Sequence, residues 1–138
     1  MRDTFDRHGL ELLDRDECLD LLSRSTFGRI GVTFGALPAV LPVNYRLVDE
    51  QIVFKTGHGT KLDAATCNSI VAFEVDDIDP MSHTGWSVMV TGEARKVTDA
   101  AELTALQAAQ VPHWAQTDIE ETVSVATTMV TGRRIGPP

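Results

Sequence analysis

The alternation of apolar and polar residues predicts β-strands through most of the chain. Short β-branched and aromatic runs, "GRIGVTF", "LPAVLPVNYRLV" and "QIVFKT", are separated by "GA" and "DE", which suit tight turns. They predict a three-stranded antiparallel meander. "SIVAFEVD", "WSVMVTGEARKV" and "ETVSVATTMVTGRRI" extend the β pattern towards the end of the sequence.

Three segments have a helical pattern instead. Asp14 is a suitable N-cap, with Glu17 three residues later, and the apolar positions that follow predict a helix from Arg15 to about Arg24. A short helix is predicted over Lys61 to Thr66. "DAAELTALQAAQ" predicts a third helix, capped by Thr98 or Asp99.

The order of these elements favours a small, mainly β fold. About six short strands with brief helices between them, and no regular β-α-β alternation, indicate an antiparallel β-barrel. We expect one domain over residues 1–138, with residues 1–11 as a flexible arm. The second run should be irregular near Pro42, and Gly92 within a long strand predicts a bulge or a barrel corner.

Composition and charge exclude several classes of partner. The formal net charge of −8 opposes binding to nucleic acid or to an anionic membrane surface. The longest apolar stretches fall short of the roughly 20 residues that a membrane-spanning helix requires.

Cys18 and Cys67 lie in segments predicted to be helical and form no C-x-x-C motif, which predicts buried thiols in a reducing cytoplasm.

The segment "FKTGHGTKLDAA" combines a strand end, two glycines and a helix start. Gly57 and Gly59 would let backbone N–H groups converge, and Lys61 adds a positive charge, so the turn has the elements of a phosphate site. It matches neither the Walker A motif nor G-x-G-x-x-G. An ordinary strand-to-helix turn with a solvated lysine is the alternative, and the local sequence leaves both open.

Other chemistry has little support. His8, His58, His83 and His113 have no metal-ligand spacing, so no metal site is predicted, and no nucleophile motif is present. His58 is the exception that merits testing, because it lies inside the candidate phosphate turn.

Three segments in order, "GRIGVTFGALPAVLPVNYRLVDEQIVFKTGHGTKLDAA", "VAFEVDDIDPMSHTGWSVMVTGEARKV" and "VTGRRI", resemble the pyridoxamine 5′-phosphate oxidase-like flavin-binding proteins, in the short form frequent among actinobacteria. The resemblance runs from about Leu13 to Ile135. It implies a six-stranded antiparallel split β-barrel of the FMN-binding type, a homodimer, and FMN in a groove between the subunits. A phosphate bound at the turn in "FKTGHGTKLDAA" would then belong to the flavin.

The resemblance also implies which positions contact the cofactor. One strand would follow the isoalloxazine edge, the next would meet its pyrimidine side, a turn would bind the phosphate, and a fourth strand would approach from the other subunit. The implied residues, in that order, are Pro42, Val43, Asn44 and Tyr45, then Phe54, Lys55 and Thr56, then Thr60 and Lys61, then Trp86 and Ser87. Val43, Phe54 and Trp86 would line an apolar groove for the ring.

The implied activity is that of an FMN-dependent oxidoreductase acting on a small substrate. Thr60 stands where the oxidases of this family carry an arginine, which implies a weaker hold on the phosphate. A non-catalytic carrier of flavin, deazaflavin or haem is the alternative, and a nitroimidazole-reductase-like activity is a third.

Overall fold

A computed structural model describes residues 10–113 and 119–136 of the chain. Within these residues there are three helices: α1 (Arg15–Arg24), α2 (Lys61–Ala65) and α3 (Ala100–Gln107). The nine strands of the same ranges are β1 (Glu11–Leu13), β2 (Phe27–Phe34), β3 (Leu37–Asn44), β4 (Arg46–Val48), β5 (Gln51–Gly57), β6 (Ser69–Asp79), β7 (Thr84–Lys96), β8 (Glu120–Ala126) and β9 (Met129–Ile135).

The strands form one antiparallel sheet that curls around an apolar core. Its order is β3-β2-β6-β7-β8-β5-β4, while β9 pairs with β7 and with β1. Along β6 and β7 alternate side chains point inwards, and Val71, Phe73 and Val75 are buried as their spacing predicts. Burial of this apolar face is the main force that holds the sheet curled.

The strand pairing of the chain changes at Tyr45. Up to Asn44 it pairs with β2, whereas from Arg46 onwards it pairs with β5. The Tyr45 hydroxyl donates to the Leu22 carbonyl at 2.6 Å, and the backbone N–H of Tyr45 donates to the Thr26 carbonyl at 3.0 Å. The Tyr45 ring packs edge-on against the Phe73 ring, with 4.8 Å between the ring centroids. The buried tyrosine thus fixes the point at which the barrel divides.

This exchange corrects two expectations. The predicted three-stranded meander is interrupted, because the ladder of β5 is formed with β4 and β8 instead of β3. The irregularity lies at Tyr45 and not near Pro42, which keeps its place in the ladder opposite Arg29. Pro42 is tolerated there because β3 is an edge strand.

The barrel turns a corner at Gly92, as predicted. On one edge β7 pairs with β9 up to Thr91 and with β8 from Ala94 onwards. A Cβ atom at Gly92 would lie 1.8 Å from the Ala126 carbonyl oxygen. Only a residue without a side chain lets the two backbones approach this closely.

The architecture is the predicted antiparallel split β-barrel with more strands than the six expected. The additional strands arise because the second and last β runs each divide in two and because Glu11–Leu13 pairs with β9. Glu11 therefore belongs to a strand, and residues 1–9 of the expected arm lie outside the described residues. No helix in the described ranges is long and apolar enough to cross a membrane.

The predicted helices are present with small differences. α1 has the predicted bounds, and the Asp14 side chain accepts from the Glu17 N–H at 2.8 Å. α2 ends at Ala65, one residue earlier than expected, and α3 is capped by Asp99. Cys18 is buried, whereas Cys67 is exposed beyond the end of α2, so the expectation of two buried thiols was wrong for Cys67.

Candidate functional site

A cleft opens where β3 and β5 part. It has a volume of about 270 Å³ and is bordered by Pro42, Val43 and Asn44 of β3 and by Lys55 of β5. Phe27, Pro112 and His113 complete its lining. The division of the barrel at Tyr45 thus gathers four of the residues that the sequence assigned to a cofactor site.

A carboxylate with two basic partners lies beside this cleft. Lys55 Nζ is 3.7 Å from Glu120 Oε2, and His113 Nδ1 is 3.0 Å from each Glu120 carboxylate oxygen. The Glu120 side chain is only 14% exposed and that of Lys55 24%. Lys55 therefore places a positive charge, and His113 a polar ring, at one wall of the cleft.

Three other candidate residues turn their side chains into the core. Tyr45, Phe54 and Thr56 have no exposed surface. The Tyr45 hydroxyl is engaged with Leu22, and burial raises its pKa to about 12, with smaller opposing effects from Ser25 and Arg46. Thr56 Oγ1 has no hydrogen-bond partner within residues 10–113 and 119–136. None of these three residues borders the cleft, so their side chains are not available to a ligand there.

The glycine-rich turn before α2 binds a carboxylate of its own. Gly59, at φ +75°, donates its N–H to Asp63 Oδ2 at 2.9 Å. Thr60 caps α2: its Oγ1 accepts from the Asp63 N–H at 3.1 Å and donates to the Gly57 carbonyl at 2.8 Å. The donors that the sequence offered to a phosphate are thus partly used within the turn.

Asp63 is stabilised in its charged form despite its burial. Burial alone would raise the pKa of this carboxyl, but the Gly59 hydrogen bond and Lys96, whose Nζ lies 3.0 Å from Asp63 Oδ1, together hold it below its ordinary value. In turn Asp63 raises the pKa of Lys96. The interior anion of the turn therefore has its own cation.

Lys61 is the exposed cation of the turn. It borders a depression of about 340 Å³ together with Thr33, Phe34 and Gly35 from the β2–β3 hairpin and with α2. The cleft described above begins at Phe27, the first residue of β2, and this depression lies beside Phe34, the last. Lys61 therefore lies at the other end of β2 from the cleft.

The two remaining candidates lie elsewhere on the barrel. Trp86 is half-buried on β7, packs against the core and pairs with Asp77 and Arg134. Ser87 follows it and is also half-buried. Since Phe54 is in the core and Trp86 does not border the cleft of Val43, these three side chains do not form the expected apolar groove within the described chain.

His58, Asp63 and Glu121 form a compact polar cluster. His58 Nδ1 is 2.6 Å from Glu121 Oε1, and one potential ligand atom from each residue lies within 4.8 Å of the others. Lys96 already places an ammonium against Asp63. A divalent cation would have to displace that ammonium, so the arrangement supports a charge-balanced network better than a metal site.

A second charged group lies on the outer face of the sheet. Arg29 Nη1 is 3.7 Å from Asp76 Oδ2 and 3.9 Å from Glu74 Oε1. Burial, together with the hydrogen bond and charge of Asp76, raises the pKa of Glu74 to about 7, against an opposing effect of Arg29. The charge of Glu74 therefore varies near neutral pH.

Sequence reasoning missed several of these residues for different reasons. Phe27, Pro112 and His113 belong to no motif and reach the cleft only through the fold of the sheet. Asp63 had a usable signal, because it follows Thr60 at the spacing of a helix-capping pair. Its ionic partner Lys96, on β7, had none.

The sequence and the fold both match known proteins. The family model for pyridoxamine 5′-phosphate oxidase matches residues 14–134. The uncharacterized protein Rv0080 of Mycobacterium tuberculosis is 39% identical over 128 residues, which cover 89% of this chain and 84% of that protein.

Solved structures extend the comparison to the fold. The FAD binding protein from Mycobacterium smegmatis is 40% identical, with a TM-score of 0.81 over 90% of this chain and 97% of that chain. A conserved protein of unknown function from Corynebacterium diphtheriae is 30% identical, with a TM-score of 0.78 over 92% of this chain and 98% of that chain. The chain described here thus belongs to the pyridoxamine 5′-phosphate oxidase family.

Proposed function

We propose that the protein is a flavin-dependent oxidoreductase that holds its cofactor along the split of the barrel and acts on a small substrate. The observation that carries this proposal is the cleft at the split, where Pro42, Val43 and Asn44 meet Lys55. The similarity to a mycobacterial protein described as FAD binding, at 40% identity, supports it. A concave site with an apolar wall and a few convergent polar groups suits a flat ring system.

The residues around the split fit a flavin in different ways. Pro42, Val43 and Asn44 offer the edge of β3 to the ring, and Lys55 offers a cation beside it. In our proposal Lys61 makes the charge-assisted contact to the phosphate, since Asp63 already occupies the Gly59 N–H. Because Lys61 and the split lie at opposite ends of β2 within one chain, the ring and the phosphate of one flavin would contact different subunits of a dimer. An acidic protein requires such a local cation to hold a dianion.

Within this proposal the cofactor is FMN, as the sequence resemblance implies, and FAD is the second candidate. FAD is favoured by the description of the Mycobacterium smegmatis relative. The two share the isoalloxazine ring and the first phosphate, so both would use the split and Lys61. A deazaflavin or haem carrier without turnover remains the alternative class, and a nitroimidazole-reductase-like activity is the third.

We further propose that the working form is a homodimer. The outer face of the sheet exposes large apolar side chains, among them Val40, Ile70, Met89 and Met129, with exposed fractions from 45% to 70%. Covering such a surface with a second copy would remove it from water. Trp86 and Ser87 of the partner subunit would then approach the cofactor, which accounts for their separation from the cleft within one chain.

The flavin supplies hydride transfer, and the protein supplies binding, orientation and charge. The wall formed by β3 and β5 would exclude water from one side of the ring. The Lys55 ammonium is partly shielded from solvent, because its side chain is only 24% exposed. It would stabilise negative charge that develops on a group bound beside it.

The visible spectrum of the purified protein, before and after incubation with excess FMN or FAD, tests this function. We expect flavin absorbance that stays with the protein through gel filtration, and chromatography of the released cofactor distinguishes FMN from FAD. Reduction of the bound flavin by NADH or NADPH, and its reoxidation by an added acceptor, would support an oxidoreductase. A bound flavin that none of these reagents reduces would favour the carrier, and a protein that takes up no flavin would refute the proposal.

A further inference from the structure

Helix α3 encloses space against the barrel without filling it. Each of its residues retains exposed surface, and its apolar side chains Leu103 and Leu106 are only half-buried. Arg95, which forms an ion pair with Glu102, ties the helix to β7. A cleft of about 610 Å³ lies between α3, the segment that follows it, and the barrel wall at Lys55 and Thr122.

This α3 cleft has the composition of a small-molecule site. Leu103, Leu106, Val111 and Pro112 form an apolar lining, and Lys55 and His113 supply polar groups at one wall. Its volume lies within the range of roughly 300–1,000 Å³ that is usual for ligand sites.

The α3 cleft adjoins the cleft at the split. Lys55, Pro112 and His113 border both. A molecule in the α3 cleft would therefore be separated from a ring bound at the split only by these shared side chains. We infer that the α3 cleft is the substrate pocket of the flavin site; this inference rests on the proposed function.

The charges at the shared wall indicate what the pocket accepts. The Glu120 carboxylate is paired with both Lys55 and His113, so part of its acceptor capacity is used within the protein. The Lys55 ammonium carries three N–H donors and no acceptor, so donors remain on it beyond the contact with Glu120. Lys55 is thus the group at this wall that offers both a positive charge and free N–H donors. The ligand class that fits is a small molecule with an apolar body and one anionic or carbonyl group directed at Lys55.

Two matched fluorescent probes test this assignment. 8-Anilinonaphthalene-1-sulfonate has an apolar aromatic body with one anionic group, and N-phenyl-1-naphthylamine has the same aromatic framework without the charge. Titration of the full-length protein should show one site per chain that binds the anionic probe at least about fivefold more tightly, because one charge-assisted contact to Lys55 is added.

Substitutions in the α3 cleft locate that site. Leu106→Trp fills the cleft, so it should weaken binding of the anionic probe about tenfold or more. Flavin affinity should change by less than about twofold, because Leu106 does not border the split. Leu12→Trp, the same change at a β1 residue outside the cleft, is the control. Leu106→Glu introduces a negative charge with little added bulk and should weaken the anionic probe more than the neutral one.

The outcomes separate this inference from the proposed function. Unchanged probe binding in both Leu106 variants, or equal affinity for the two probes, would overturn it. Displacement of the probe by flavin would also overturn it, because the two sites would then coincide. With flavin bound we expect the probe to remain, its emission quenched by the neighbouring ring. Probe binding of the expected pattern in a wild type that takes up no flavin would refute the proposed function and leave the ligand site standing.

Discussion

The backbone N–H of Gly59 donates to the carboxylate of Asp63 at 2.9 Å across the turn that precedes α2. A turn whose sequence offers donors to a phosphate thus already binds an internal anion, and Lys96 balances its charge. This leaves Lys61, on the exposed side of the turn, as the cation available to a ligand. Rigidity of the turn and ligand binding are therefore assigned to different residues.

Replacing Asp63 should destabilise the fold without a direct effect on a ligand. Asp63→Asn removes the negative charge that holds Lys96, so we expect the thermal unfolding midpoint at pH 7 to fall by several degrees. Because the pKa of Asp63 is lowered on folding, its contribution is complete above the unfolded value of about 3.9 and is lost as the pH falls through the lower folded value. Thermal unfolding of both proteins between pH 2 and 7 measures this. An equal midpoint difference at every pH in that range would contradict the role of the Asp63 charge.

The contribution of Glu74 to stability should depend on pH in the opposite direction to that of Asp63. Its pKa is raised to about 7 on folding, so the native state favours the protonated form. The stabilisation is complete below the unfolded value of about 4.3 and is lost as the pH rises to about 7. The side chain is 38% exposed, so solvent screening keeps the effect small.

Glu74→Gln tests this sign. The neutral amide avoids the cost of ionisation, so the variant should gain stability relative to the wild type between pH 5 and 8 when unfolding is measured in urea. A constant difference across that pH range would show that Glu74 does not titrate there.

Tyr45→Phe tests whether this tyrosine supports the core or contacts a cofactor. The variant loses the hydrogen bond to the Leu22 carbonyl, which keeps a weaker one from the Ser25 N–H at 3.4 Å. We expect a loss of about 1 kcal/mol in the free energy of unfolding, measured by urea denaturation. Flavin affinity should be unchanged, and a drop in affinity with unchanged stability would contradict the core assignment.

Gly92→Ala tests the barrel corner. Its Cβ would lie 1.8 Å from the Ala126 carbonyl oxygen, so β7 and β8 could not keep their present approach. We expect a loss of about 3 kcal/mol or more in the free energy of unfolding. Gly31→Ala is the matched control, because its Cβ would meet Ala72 Cβ at an ordinary 3.5 Å. Similar effects of the two substitutions would argue against a corner fixed by Gly92.

Local patterns predicted the elements well and their connections less well. The helix at Arg15–Arg24, the buried face of β6 and the corner at Gly92 each follow from residues close in sequence. The change of partners at Tyr45 does not, because it depends on long-range contacts with Leu22 and Phe73. A strand pattern gives the face of each side chain but not the neighbour of each strand.

The site was predictable only in part for the same reason. The resemblance located Pro42, Asn44 and Lys55, which do gather around one cleft. It also named Tyr45, Phe54 and Thr56, whose side chains are buried and which do not border that cleft. His113 joins the cleft from a loop, and no local pattern marked it.

Fluorescence titration of the cofactor-free protein with FMN, for the wild type and Lys61→Ala, tests the central claim most directly. The wild type should bind and quench the flavin, and Lys61→Ala should lower the affinity about tenfold or more through loss of the phosphate contact. Arg24→Ala, which removes an equal charge from an exposed position in the last turn of α1, controls for net charge. Wild-type protein that leaves the flavin emission unchanged, or equal affinities for wild type and Lys61→Ala, would contradict a flavin phosphate held at this turn.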